Sequence, residues 1–145
     1  MPDGVVLAFD FGTRRIGVAV GEMMLGRARP LVTIEASAND RRFAAVAELI
    51  AEWQPRRLVV GLPLAPDGGE NEMTLRCRRF ARQLEGRYRV PVELADERLT
   101  SAAADEQLRG RGLDWRARKK SVDAVAASHI LQDYFDRHGQ SAIRS

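Results

Sequence analysis

Cysteine is almost absent from this chain of 145 residues, in which Cys77 is the only one. A single cysteine excludes an intramolecular disulfide and a cysteine-based zinc cluster. Long apolar runs are also lacking, since none approaches the roughly 20 residues that a membrane-spanning helix needs. Asp3 and Asp10 interrupt any apolar core of a signal peptide near the N-terminus. The sequence therefore predicts a cytoplasmic protein without a membrane partner.

Lysine is scarce as well, because Lys119 and Lys120 are the only two and the remaining 21 of the 23 basic residues are arginines. The formal net charge is +3, and the sequence pI is about 9.6. This mild basic excess is compatible with a polyanionic partner but does not by itself identify one. The composition, 45% hydrophobic and 30% charged, is typical of a globular protein with one core.

The succession of apolar segments predicts an α/β fold in the order β-β-β-α-β-α-β-α-α. Such an order describes a mixed five-stranded sheet with helices on both faces. The predicted strands are a hairpin over Leu7–Val20 and three further runs, Pro30–Glu35, Leu58–Leu62 and Val90–Ala95. The predicted helices are one that ends at Pro55, then Glu72–Leu84 ended by Gly86, a third from Thr100 or Ser101 to Arg109, and Ser121–Arg137. We expect one domain over residues 1–138 and a flexible C-terminal tail over 139–145.

Acidic residues interrupt apolar elements at three places. Asp10 ends the first strand, Asp96 and Glu97 follow the last strand, and Asp123 lies near the start of the last helix. Ligand sites in open α/β sheets lie beyond the carboxyl ends of the strands, so these acids converge if the two strands are neighbours. Because side chains alternate along a strand, Asp96 and Glu97 point to opposite faces, and the sequence leaves open which one faces Asp10.

Each acid also has a purely structural interpretation. Asp10 could cap its own turn, Asp96 and Glu97 could pair with Arg98, and Asp123 could cap the last helix. Three such coincidences are less expected than one shared site. Carboxylates in one pocket repel each other unless a cation joins them, and oxygen ligands suit Mg²⁺ or Mn²⁺. Two such ions about 4 Å apart would activate a water and stabilise the leaving oxygen of a phosphodiester.

Four sequence blocks resemble the YqgF/RuvX family, whose members are described as Holliday junction resolvases and as pre-16S ribosomal RNA nucleases. The blocks are LAFDFGTRRIGVAV, VVGLPLAPDG, ADERLTS and KKSVDAVAASHIL, and the resemblance extends from about Leu7 to Phe135. One block would be weak, since a DxGT motif also occurs in sugar kinases and chaperone ATPases. All four blocks in this order are specific.

The resemblance implies an RNase H-like fold and metal-dependent nuclease chemistry. It implies that the catalytic, metal-binding acids are Asp10, Glu97 and Asp123, which chooses Glu97 over Asp96 by analogy. It also implies nucleic-acid-binding positions that contact phosphates, which are Arg14, Arg15, Arg98 and Lys119.

The leading hypothesis is a hydrolase, an endonuclease dependent on Mg²⁺ or Mn²⁺ that cuts structured nucleic acid and processes the 5′ end of pre-16S ribosomal RNA. The first alternative is a Holliday junction resolvase acting on branched DNA. The second is a nucleic-acid-binding or ribosome-assembly module without turnover. An ATP-binding relative of sugar kinases is disfavoured, because those proteins close two such domains over the nucleotide. The sequence leaves a homodimer open.

Overall fold

A sheet of five strands forms the centre of the protein. The computed structural model describes residues 4–97 and 115–144, and it describes side chains for 4–97 and 123–138. The strands are β1 (Val5–Phe11), β2 (Arg15–Glu22), β3 (Arg27–Glu35), β4 (Arg57–Leu62) and β5 (Val92–Asp96). Their order in the sheet is β3-β2-β1-β4-β5; β2 is antiparallel to β1 and β3, whereas β4 is parallel to β1 and β5. The predicted mixed five-stranded sheet is confirmed.

Helices cover both faces of this sheet, as predicted. They are α1 (Asn39–Trp53), α2 (Glu72–Tyr88) and α3 (Trp115–Arg144). Since side chains alternate along a strand, Leu7 and Phe9 of β1 belong to the core on the α1 and α2 side. Val6 and Ala8 belong to the second core, beneath α3. Asp10 continues the series of Val6 and Ala8, so it faces α3.

The ends of the helices follow local capping. Helix α1 stops at Trp53, where Gln54 adopts a left-handed conformation with φ of 45°, so the end predicted at Pro55 is confirmed. The predicted end of α2 at Gly86 is wrong. That helix continues to Tyr88 and ends where Arg89 has φ of 56° and donates its backbone N–H to Glu85. Gly86 lies within the helix, and a Cβ atom on it would meet no other atom within 4 Å, so its surroundings do not require the helix to end there.

Helix α3 is longer than the Ser121–Arg137 helix that the sequence predicts. Its helical backbone reaches Arg144, and the flexibility expected for the tail over residues 139–145 stays a prediction. The helix predicted from Thr100 to Arg109 lies outside the described residues. No helix in the described part of the chain is both long and apolar enough to cross a membrane. Cys77 is buried in the core, and burial raises the pKa of its thiol to about 12.

Candidate active site

Asp10 lies near the carboxyl end of β1, and its neighbour on each of the two adjacent strands is a glycine. On β2 its antiparallel partner is Gly17. On β4 the parallel register pairs Phe9 with Val60, so the next residue along, Gly61, is the neighbour of Asp10. Neither neighbouring strand therefore places a side chain directly beside Asp10.

Glu97 reaches Asp10 across β4. Glu97 comes two residues after Ala95, which packs in the core beneath α3, so its side chain lies on the face that Asp10 occupies. The two side chains form a hydrogen bond with each other. Asp96 belongs to the opposite face. The alternative that the sequence leaves open is thus decided in favour of Glu97.

The two acid-bearing strands are not neighbours, because β4 lies between β1 and β5. The acids meet because Gly61 of β4 carries no side chain. A Cβ atom there would lie 2.4 Å from Glu97 Oε2 and 2.5 Å from Ile130 Cδ1. Because Gly61 has no side chain, the Glu97 carboxylate can lie over the sheet at this position.

Asp123 comes to the same face because α3 approaches the sheet at a second glycine. A Cβ atom on Gly17 would lie 1.9 Å from the Asp123 carbonyl oxygen and 2.8 Å from the Ala124 nitrogen. Only glycine permits such an approach between a helix backbone and a strand. Because Gly17 is the cross-strand partner of Asp10, this contact holds Asp123 of α3 beside Asp10 and Glu97.

The electrostatics of the site disfavour a negative charge on Asp10. Burial, and then the charges of Glu97 and Asp123, raise the pKa of Asp10 from 3.8 to about 8. Burial also raises the pKa of Glu97, while its hydrogen bond with Asp10 opposes that rise. A hydrogen bond between two carboxyl groups needs one proton, and the raised pKa of Asp10 favours its protonated form.

Asp123 pairs with Arg15 instead of completing a compact cluster. Arg15 Nε donates to Asp123 Oδ2 at 3.0 Å, and both side chains are about three-quarters buried. Within residues 4–97 and 115–144, no three His, Cys, Asp or Glu side chains are arranged closely enough to hold a metal ion as they stand. The donors nevertheless fit a hard divalent cation: they are carboxylates, two of them touch, and glycines clear the space around them. A cation there would relieve the repulsion that raises the pKa of Asp10.

Comparison with known proteins assigns the chain to a family. Residues 4–137 match the model of the RuvX family, which is described as Holliday junction resolvase. The chain belongs to the RuvX family. A relative from Methylobacillus flagellatus is 60% identical over 92% of this chain and 91% of its own length. One from Nitrosomonas europaea is 54% identical over 94% of this chain and 96% of its own. Both carry the name "Putative pre-16S rRNA nuclease".

Solved structures show the fold of this RuvX-family chain. The Thermus thermophilus RuvC in complex with a Holliday junction substrate is 20% identical, with a TM-score of 0.57 over 93% of this chain and 95% of that one. The Fowlpox virus resolvase in complex with junction DNA is 10% identical, with a TM-score of 0.58 over 92% and 98% of the two chains. The fold is RNase H-like, as the sequence resemblance implies.

The four arginine and lysine positions predicted to contact phosphates are only partly described. Arg14 is exposed on the turn after Asp10. Arg15 follows it but pairs with Asp123. Arg98 lies outside the described residues, and so does the side chain of Lys119, whose backbone belongs to α3. A phosphate contact stays a prediction for each of them.

Arg42 is a buried arginine behind the turn that follows Asp10, and it is not among the positions that the sequence pattern predicts. Its side chain donates from Nε to the Ala36 carbonyl at 2.6 Å and from Nη2 to the Gly12 carbonyl. Its guanidinium also lies 5.0 Å from the centre of the Phe11 ring, and burial lowers its pKa. The signal in the sequence is its spacing, since Val46 lies four residues later on the buried side of α1.

We expect Arg42→Met to destabilise the protein by about 2–3 kcal/mol, because two half-buried carbonyl oxygens lose their donors while the apolar volume is kept. The matched control is Arg41→Met, since Arg41 is exposed on the same helix and should change stability by less than about 0.5 kcal/mol. Denaturant unfolding of both variants measures the difference. Equal unfolding midpoints would show that Arg42 does not hold the turn.

Proposed function

We propose that this protein is a divalent-metal-dependent endonuclease that hydrolyses phosphodiester bonds in structured RNA and matures the 5′ end of pre-16S ribosomal RNA. The observation that carries the proposal is the half-buried Asp10–Glu97 pair, with Asp123 beside it, at the carboxyl edge of an RNase H-like sheet. The choice of RNA is supported by relatives 60% and 54% identical that bear a pre-16S rRNA nuclease name. Such a substrate implies a cytoplasmic protein.

In this proposal Asp10, Glu97 and Asp123 hold Mg²⁺ or Mn²⁺. A bound ion of this kind lowers the pKa of a water and stabilises charge on a leaving oxygen. Asp10 binds a cation well only when it is ionised, so the proton that it shares with Glu97 must leave first. Once that proton has left, the two carboxylates repel each other, and this repulsion favours the binding of a cation between them.

Arg15 connects the third acid to the substrate. In the structure it neutralises Asp123, at a distance of 3.0 Å. When Asp123 turns toward Asp10 and Glu97, Arg15 loses its partner and can face a phosphate. The role predicted for Arg15 from the sequence is thus compatible with the ion pair. Arg14, Arg98 and Lys119 complete the set of proposed phosphate contacts.

The test is cleavage of a pre-16S RNA fragment that carries its 5′ extension, with the wild-type protein in Mg²⁺, in Mn²⁺ and in EDTA. We expect cleavage at a defined position with either metal and none in EDTA. A four-way DNA junction of equal length is assayed in parallel. Metal-dependent cutting of the RNA but not of the junction supports the proposal. Cutting that survives EDTA would contradict metal dependence.

The alternative substrate is a four-way DNA junction, which is favoured by the family description as Holliday junction resolvase. A junction has two-fold symmetry, and a two-fold dimer matches it, so this alternative includes a homodimer. Preferential cutting of the junction, together with a dimeric mass in sedimentation, would support it. Binding of RNA without cleavage under any metal condition would instead support a ribosome-assembly module.

A further inference from the structure

A basic groove runs along the start of α1, next to the turn that follows Asp10. Its first part is an open depression of about 630 Å³, lined by Arg14, Arg15 and Arg41. Arg15 is also the partner of Asp123, so this depression adjoins the candidate active site. Glu35 lines it as well and offsets part of the positive charge. We name this depression and the cavity that continues it the α1 groove.

The second part of the α1 groove is a cavity of about 290 Å³ between α1 and α2. Arginines line it, among them Arg42 and Arg79, and the ring of Phe11 contributes an aromatic wall. No acid belongs to its lining in the described part of the chain. Ser37 lines both parts, so the depression and the cavity meet at the start of α1.

Three arginines of the α1 groove have no acidic partner in the described part of the chain, whereas Arg15 pairs with Asp123 and Arg76 with Glu72. Arg14, Arg41 and Arg79 are exposed, and no acid within residues 4–97 or 123–138 forms an ion pair with their side chains. By contrast, Arg78, which precedes Arg79 on α2, forms an ion pair with Glu70 in which Nε and Oε1 are 2.5 Å apart. Guanidinium groups that have no intramolecular carboxylate are available to phosphates, which they bind in a bidentate manner.

The start of α1 adds to the positive potential of the α1 groove. Ala38 lines the depression and gives the helix no side-chain cap. The first backbone N–H groups of a helix carry partial positive charge, and Asp40 accepts from only one of them, that of Arg41. The groove therefore combines free guanidinium groups with a helix end of the same sign.

We propose that the α1 groove binds the phosphate backbone of an RNA strand that extends from the acids toward α2, with one nucleotide entering the cavity between the helices. This inference rests on the proposed function, since it gives the path of the substrate on one side of the cleavage point. The cavity volume is near the lower limit of small-molecule sites, which suits a single nucleotide. Phe11 and Phe80 line the cavity and give it aromatic walls against which a base can pack.

The test compares Arg41→Gln and Arg79→Gln with a control, Arg82→Gln. Arg82 is an exposed arginine of α2 that lines a different depression, against β5, and it changes the net charge equally. Fluorescence anisotropy in EDTA measures the binding of a labelled single-stranded RNA at several salt concentrations. We expect each groove variant to bind RNA on the order of fivefold more weakly. The slope of the logarithm of the binding constant against the logarithm of the salt concentration should become shallower by about one. Arg82→Gln should bind like the wild type.

A series of shortened RNAs locates the contact. The difference between wild type and Arg79→Gln should vanish once the RNA is too short to reach α2. Equal weakening by Arg79→Gln and Arg82→Gln would mean that only total charge matters, and the groove proposal would fall. Wild-type cleavage of RNA with unchanged KM in both groove variants would overturn the groove and leave the function standing. If the wild type bound RNA through the groove but did not cleave it, the proposed function would be overturned and the groove would stand.

Discussion

Asp10→Asn is expected to reduce metal-dependent cleavage of RNA by on the order of 10³-fold, which corresponds to about 4 kcal/mol of transition-state stabilisation. Asparagine keeps the size of Asp10 and still donates a hydrogen bond to Glu97. It removes the anionic oxygen that a divalent cation needs from the centre of the site. The loss should therefore appear in cleavage without a loss of fold.

The same substitution is expected to stabilise the metal-free protein at neutral and alkaline pH. The pKa of Asp10 is about 8 in the folded protein and 3.8 in its unperturbed state, so folding binds a proton more tightly. The stabilising contribution of protonated Asp10 is complete below pH 3.8 and is lost as the pH rises toward 8. Asparagine does not ionise. The gain in free energy of unfolding should hence grow from near zero at pH 4 to on the order of 2 kcal/mol at pH 8, since Glu97 keeps its own buried charge.

Denaturant unfolding in EDTA across this pH range, together with cleavage assays, measures both effects of Asp10→Asn. The control is Glu48→Gln, because Glu48 is an exposed acid of α1 with no ion pair in the described part of the chain. It should change neither stability nor cleavage. A variant that loses activity and shows no pH-dependent gain in stability would mean that Asp10 is not a strained, buried acid.

The sequence pattern singles out the acids of the candidate site because polar residues next to buried strands stand out. Asp10 and the Asp96–Glu97 pair follow apolar runs, but the alternation along β5 did not say which of the two faces Asp10. Strand order is a different matter. It depends on pairing between segments far apart in the chain, so the position of β4 between the two acids was not foreseen.

Long-range side-chain partners were also beyond the sequence. Arg15 and Asp123 are 108 residues apart, and nothing in their local spacing indicates an ion pair. Arg15 on a turn after an acid suggests a phosphate contact, which is the local interpretation. The buried position of Arg42 likewise depends on two carbonyl oxygens supplied by a turn and a loop outside its helix. Chemistry was thus more predictable from local pattern than the contacts that set its geometry.

Gly17→Ala is expected to damage both the fold and the site, because its Cβ would meet backbone atoms of Asp123 that cannot rotate away. We expect a loss of about 3 kcal/mol in free energy of unfolding, the upper part of the range for overpacked positions. If α3 instead shifts by about 1 Å to make room, Asp123 moves with it, and cleavage should fall on the order of 10²-fold. The Mn²⁺ concentration for half-maximal activity should rise as well.

The matched control for Gly17→Ala is Gly86→Ala. Gly86 is a helical glycine of α2 whose added Cβ would meet nothing within 4 Å. Alanine there should raise stability by about 0.5–1 kcal/mol and leave cleavage alone. Assays run well below both unfolding transitions separate displacement of Asp123 from loss of folded protein. A folded Gly17→Ala protein with wild-type cleavage and wild-type Mn²⁺ dependence would show that the contact between β2 and α3 does not position Asp123, and the third acid would then need another support.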